Sequence, residues 1–182
     1  MVDYQTLSIV FTGLSITIAA FYYINTLRNA QKTRQIQMFM QLYESKYDQE
    51  GLEALFTLMY LEWEDFDDYM EKYSPVTGDT KIAVMMESQV SYMDGLGLLV
   101  KNIEVDLETV YNVAGRRVLL LWFKLETLIK SFREPMWGMP EYAENFEYLA
   151  YEMIRIRRQK GLPIPYLVYL HPTSKLHQEL KT

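Results

Sequence analysis

Tyr4-Gln-Thr-Leu-Ser-Ile-Val-Phe-Thr-Gly-Leu-Ser-Ile-Thr-Ile-Ala-Ala-Phe-Tyr-Tyr-Ile-Asn-Thr-Leu27 runs for 24 residues without a charge, between Asp3 and Arg28. As a helix rising about 1.5 Å per residue, the run is roughly 36 Å long, and a hydrocarbon core of about 30 Å accommodates it with some tilt. The stretch predicts one membrane-spanning helix and makes everything after Arg28 a tethered domain. A cleavable leader fits less well. It would place positive charge ahead of the apolar run and end in a small-x-small site, whereas Asp3 comes first here and Arg28, Lys32 and Arg34 follow. Lys and Arg close to a span stay on the cytoplasmic side. These three therefore predict a single-pass protein of the cell membrane with its N-terminus outside and its C-terminal domain cytoplasmic. Tyr4 at one end and Phe21, Tyr22 and Tyr23 at the other stand where headgroup-level rings are favoured. The competing reading is a buried helix of a soluble bundle, since Ser8, Thr12, Ser15 and Thr17 dilute the run.

Those diluting residues are not scattered. Ser8, Thr12, Ser15, Ala19, Tyr22 and Thr26 follow one another at steps of four and three, so they share one stripe of a helix. The register continues through Asn29, Thr33, Ile36, Met40, Tyr43 and Tyr47, with no Gly or Pro between Leu14 and Glu50. One long helix is expected to leave the bilayer. Small residues let helix backbones approach in lipid, and a 3.5-residue repeat suits a left-handed seam. Ser8, Thr12, Ser15 and Ala19 are thus the candidate interface with another transmembrane helix, in a homo-oligomer or a membrane complex. The plainer alternative is that small residues are common in any span, and that Ile36 to Tyr47 cover the domain's own core.

The remainder of the 182 residues suffices for one compact domain. With no cysteine, disulfides, thiol nucleophiles and thiolate zinc sites are excluded. Net charge is −6 but lopsided: Glu44 to Glu108 holds 16 acidic and 4 basic residues, Thr109 to Thr182 holds 7 and 11. The acidic half argues against nucleic acid as a partner and against adsorption to anionic headgroups. The simplest expectation is that the two halves pack together.

Along that domain the apolar residues recur at helical spacing. Leu52, Leu55, Phe56, Met59, Trp63, Phe66, Met70 and Tyr73 predict one helix over about Gln49–Tyr73, or two joined near Glu62. Ser74 to Asp79, with Pro75 and Gly78, ends it. Ile82, Met85, Met86, Gln89, Met93, Leu96 and Val100 mark the next, weakened toward its end by Gly95 and Gly97. A short helix is predicted from Asp106 to Val113, stopping at Gly115. Another follows from Arg116 to Arg133, apolar on several faces and so the candidate for the most buried. Pro135, Gly138 and Pro140 separate it from a last helix with the seam Tyr142, Phe146, Leu149, Met153 and Ile156, ended by Gly161 and Pro163. The expected class is all-α: an anchor and basic juxtamembrane segment over 1–34, a cytosolic bundle of about four to five helices over 35–162, and a tail over 163–182.

Two blocks carry a family resemblance. One is Leu7-Ser-Ile-Val-Phe-Thr-Gly-Leu-Ser-Ile through Leu27-Arg-Asn-Ala-Gln-Lys-Thr-Arg-Gln into Ile36-Gln-Met-Phe-Met-Gln-Leu-Tyr. The other is Val105-Asp-Leu-Glu-Thr-Val-Tyr-Asn, Trp122 with Lys124, and Phe146-Glu-Tyr-Leu-Ala-Tyr-Glu-Met. Together they resemble an uncharacterised, mostly archaeal family of single-span membrane proteins defined by a domain of unknown function. The resemblance reaches to about Lys160 and leaves out Pro163 to Thr182. It implies a cytosolic helical domain on an N-terminal anchor and transfers no catalytic residue.

Chemistry must then be sought in the residues themselves. Glu62, Glu64, Asp65, Asp67 and Asp68 form the densest carboxylate cluster, which a hard cation could use. On a helix, however, Glu64, Asp67 and Asp68 fall opposite Met59, Trp63 and Phe66, as a solvated face would. The two histidines, His171 and His177, lie in the tail, so no inward Glu-x-x-His pair of the ferritin type exists. Gly115-Arg116-Arg117 lacks the spacing of a phosphate-cradling loop. Glu141, Glu144 and Glu147 at the start of the last helix, and Arg155, Arg157, Arg158 and Lys160 at its end, complement the helix dipole. Arg155 and Arg158 remain candidates for contact with anionic lipid. The aromatic residues are core by spacing rather than a cofactor box. The expectation is a membrane-anchored interaction subunit or scaffold, accessory to a membrane complex, with no catalytic residue, cofactor or metal site assigned. Its alternatives are a tethered metal-dependent enzyme, or a small-ligand sensor recognisable by an apolar pocket with a few polar groups.

Overall fold

In a computed structural model of the chain, residues 3–44, 48–76, 78–102 and 104–164 are described. They hold six helices and, among the described residues, no strand: α1 (Tyr4–Glu44), α2 (Gln49–Tyr60), α3 (Phe66–Tyr73), α4 (Thr80–Lys101), α5 (Leu107–Phe132) and α6 (Glu144–Gln159). The chain divides into two units, the first ending at Gln41 and the second beginning at Leu42. The histidines and the rest of the tail from residue 165 lie outside the described residues.

α1 is uninterrupted over 41 residues, about 60 Å at 1.5 Å per residue. Within it, Leu7–Gln41 contains a window long and apolar enough to cross a membrane. Every described side chain from Tyr4 to Arg34 is exposed, including Ile9, Val10, Phe11, Ile16, Ile18 and Phe21.

The second unit is built around α5. Val118, Leu119, Leu121, Trp122, Phe123, Leu125, Leu128 and Ile129 are all 2% exposed or less, as a helix apolar on several faces requires. α6 packs on it through Phe146, Leu149, Ala150 and Met153, each fully buried, and its most extensive neighbour is α4; α2 lies across α4 and α5. The two halves of the chain do pack together, but apolar contact joins them. Among the described residues, the ion pairs between them, Lys101–Glu144 and Lys160–Glu108, are long at 3.7 Å and exposed, a geometry that contributes little.

One element boundary differs from the periodicity. The predicted break at Gly115 is absent, and α5 runs straight through it. Glycine costs a helix interior up to about 1 kcal/mol, which the buried stripes on both sides outweigh. The position also needs a small residue, because a Cβ there would stand 3.2 Å from the Met153 sulfur and 3.3 Å from the Tyr111 ring. Of the two readings of Gln49–Tyr73, two helices joined near Glu62 is the one that holds. α2 ends at Tyr60, and residues 61–65 carry the chain to α3.

Part of the acidic excess has a local purpose. Asp48, Asp65, Asp79 and Asp106 are the N-caps of α2, α3, α4 and α5, accepting from the amides of Gly51, Asp68, Lys81 and Thr109 at 2.8–2.9 Å. Each such cap contributes about 1 kcal/mol. α6 has no cap of its own, since Ala143 stands there in a left-handed conformation with φ 55°. Asp94 of α4 supplies it from across the bundle: its Oδ1 accepts from the amides of Asn145 at 2.8 Å and Phe146 at 3.0 Å. One carboxylate thereby ties the start of α6 to α4.

Candidate functional site

Among the described residues, the second unit holds an apolar cavity of about 620 Å³. Four segments wall it: the end of α3 with the turn after it (Tyr69, Met70, Ser74, Pro75, Val76), the first half of α4 (Ala83, Val84, Met86, Glu87), Phe132 at the end of α5, and Trp137, Met139 and Tyr142. The last three come from the irregular connection between α5 and α6. Their placement follows from its backbone, in which Gly138 takes φ 64°, the Trp137 amide donates to the Glu134 carbonyl at 2.9 Å and the Tyr142 amide to that of Met139 at 3.1 Å. Arg133 fastens the same connection, its Nε donating to the Tyr142 carbonyl at 2.7 Å and its Nη1 to Glu147.

The rings form one edge-to-face cluster. Phe132 meets Trp137 at 6.0 Å and Tyr142 at 5.4 Å between centroids, and Phe66 backs both Phe132 at 5.0 Å and Trp137 at 5.3 Å. Such pairs contribute about 0.5–1.5 kcal/mol each beyond area burial, so this wall is preformed. Polar groups on the lining are few. The Tyr142 hydroxyl donates to Glu87 Oε2 at 2.8 Å, Ser91 donates to Glu87 Oε1 at 2.9 Å, and the Tyr69 hydroxyl points at the Met86 sulfur. Burial, with the negative charge of Glu87 behind it, raises the Tyr69 phenol to about 12 and carries that of Tyr142 higher still. Both hydroxyls stay neutral donors at any physiological pH.

Tyr142 was expected on the seam of the last helix. It instead precedes α6 and faces this cavity, while Phe146, Leu149, Met153 and Ile156 hold the seam as expected. Glu87, Trp137 and Met139 had no signal in the periodicity. A trace existed in the density of aromatic and Met residues around Pro135, Gly138 and Pro140, where a plain surface loop has no use for them.

The other candidate residues fall elsewhere. The hydroxyls of Thr12, Ser15 and Thr17 donate to the carbonyls of Ser8, Phe11 and Gly13, each at 2.8 Å, and Ala19 stands exposed among them. Arg28, Lys32 and Arg34 are exposed. So are Arg155 and Arg158, with Arg155 doubly bonded to Glu152, while Arg157 is turned to the Pro163 carbonyl.

The carboxylates of 62–68 are not one helical face. Glu62, Glu64 and Asp65 lie in the connection before α3. Asp65 caps that helix, and Asp68 accepts from the Glu64 amide at 2.9 Å and from Lys72 at 2.8 Å. That ammonium and the amide hold the Asp68 carboxyl below its usual range. Among the described residues no three such side chains gather as metal ligands do. Burial shifts the pKa of Lys124 down, with Glu62 opposing. Its ammonium donates to the Leu61 carbonyl and lies 4.3 Å from the centre of the Trp63 ring. It thus binds the carboxyl end of α2, which attracts positive charge, rather than facing a cleft.

Fold and site together define a helical domain behind a long apolar N-terminal helix. The chain belongs to the family of the domain of unknown function DUF4760, which matches residues 9–153. No curated protein and no solved structure matches it.

Proposed function

We propose that this protein is a single-pass membrane-anchored interaction subunit, an accessory component of a membrane complex, with α1 as both anchor and docking element. The observation that carries the reading is the apolar surface of α1, exposed at every described side chain from Tyr4 to Arg34. Lipid, or a partner helix in lipid, is the environment that such a surface favours. Two features agree with it. Thr12, Ser15, Thr17 and Thr26 return their hydroxyls to the helix's own carbonyls, which leaves none of these groups unsatisfied in hydrocarbon. The family match also runs continuously from within α1 into α6, over residues 9–153.

On this reading Arg28, Lys32 and Arg34 hold the second unit in the cytoplasm, with Arg155 and Arg158 available to anionic headgroups, and Ser8, Thr12, Ser15 and Ala19 face the partner helix. The chain has no cysteine to mask first, so topology is directly measurable. Val2→Cys should react with an impermeant thiol reagent in intact cells and Lys175→Cys should not; the reverse pattern refutes the orientation, and reactivity of both refutes the span. For the seam, Ser15→Leu or Ala19→Phe should weaken self-association or co-purification in mild detergent by about tenfold, equivalent to about 1.4 kcal/mol, because bulk keeps the backbones apart. Tolerance at both positions combined with sensitivity at Ile16 would move the interface to another face.

A further inference from the structure

We propose that the cavity between α3, α4 and the α5–α6 connection is a binding site for a lipophilic organic cation, an aromatic or alicyclic body carrying a tertiary or quaternary ammonium that sits against Glu87. The volume of about 620 Å³ is that of a site for one small molecule, in a class of roughly 300–1,000 Å³ lined by apolar groups with a few fixed polar ones. What selects the ligand is the character of those few groups. Glu87 is an exposed carboxylate at the edge of an otherwise apolar lining. It accepts two hydroxyls, and among the described residues no lysine or arginine nitrogen stands within 4.0 Å of it.

The cation on the neighbouring connection, Arg133, is turned away to the Tyr142 carbonyl and Glu147. Asp94 adds a second negative charge close enough to act on Tyr142. The rings of Phe132, Trp137, Tyr142 and Tyr69 line the same cavity, and aromatic rings attract ammonium groups through their faces. A carboxylate with no cation beside it, at the edge of a cavity lined by aromatic and apolar side chains, rejects anions. It favours a cation over a neutral molecule of the same shape.

The full chain in nanodiscs of zwitterionic lipid, with empty nanodiscs as reference, is titrated calorimetrically with three probes of one shape: (1-naphthylmethyl)trimethylammonium, 1-naphthalenemethanol and 1-naphthylacetate. The cation should bind about tenfold or more tighter than the alcohol, and the acetate should not bind. Glu87→Gln, at an exposed position where the amide still accepts from Tyr142, should weaken the cation about tenfold and leave the alcohol unchanged. Val84→Trp, which fills the mouth from a residue 63% exposed, should abolish binding of both. Circular dichroism confirms that each variant remains folded. The proposal is overturned if the alcohol or the acetate equals the cation, if Glu87→Gln leaves cation affinity unchanged, if Val84→Trp leaves it intact, or if the folded wild-type chain binds no cation at millimolar concentration.

Discussion

Gly97→Ala is expected to destabilise the second unit by about 3 kcal/mol, whereas Gly95→Ala, two residues earlier on the same helix, is expected to stabilise it by about 0.5–1 kcal/mol. Intrinsic propensity treats the two alike, favouring alanine over glycine in a helix interior by up to about 1 kcal/mol. Packing separates them. Gly95 is exposed, and a Cβ there meets nothing within 4 Å. Gly97 is buried where α4 crosses the start of α6, and its Cβ would overlap the backbone carbonyl of Asn145. A flexible side chain can swing away from such a contact. This carbonyl cannot, because the Asn145 amide is bonded to Asp94 and the residue lies in the first turn of a helix whose inner face, Phe146, Leu149, Ala150 and Met153, is fully buried. The substitution must move α6 as a body or break its cap. Urea unfolding of the two variants, followed by circular dichroism, gives the comparison; equal shifts of the midpoint would mean that the close crossing does not form.

That pair of glycines shows where the sequence was legible and where it was not. Helical spacing located the stretches that build the bundle, though it divided α5 in two, because the apolar positions of α4, α5 and α6 repeat with the period of the fold. It treated Gly95, Gly97 and Gly115 alike as weak points, since local cost is all that spacing carries. In the folded chain Gly97 and Gly115 are points of close approach to α6, and Gly115 does not end α5. The acidic run at 62–68 misled for a related reason. Periodicity placed it on a helix, while Asp65 is a cap that starts one.

The cavity was illegible for a different reason. Its lining joins Tyr69, Glu87, Phe132 and Tyr142, four residues from four segments, brought together only when α3 and the α5–α6 connection settle against α4. Sequence separations of this size leave no local pattern. The α1 stripe of Ser8, Thr12, Ser15 and Ala19, by contrast, was visible at once because its spacing is that of a single helix.

Trp122→Ala is expected to cost about 3–5 kcal/mol, the range for emptying a buried large aromatic site, and so to remove much of a domain stability that ordinarily totals about 5–15 kcal/mol. The ring is 1% exposed and packs edge-on against Phe146 at 5.3 Å, with Tyr151 at 6.4 Å. It therefore joins α5 to α6 at the centre of the second unit. The surroundings are poorly able to collapse into the space left, because Leu121, Phe123, Leu125 and Leu149 are each held at 1% exposure or less by neighbours of their own. Trp122→Phe, which keeps a ring in the site, should cost distinctly less, and the difference between the two variants isolates the volume term from mere loss of aromaticity. Thermal unfolding by far-ultraviolet circular dichroism measures both. A Trp122→Ala change below about 1 kcal/mol, inside the range of ordinary surface substitutions or little beyond it, would mean that the bundle is organised around a helix other than α5.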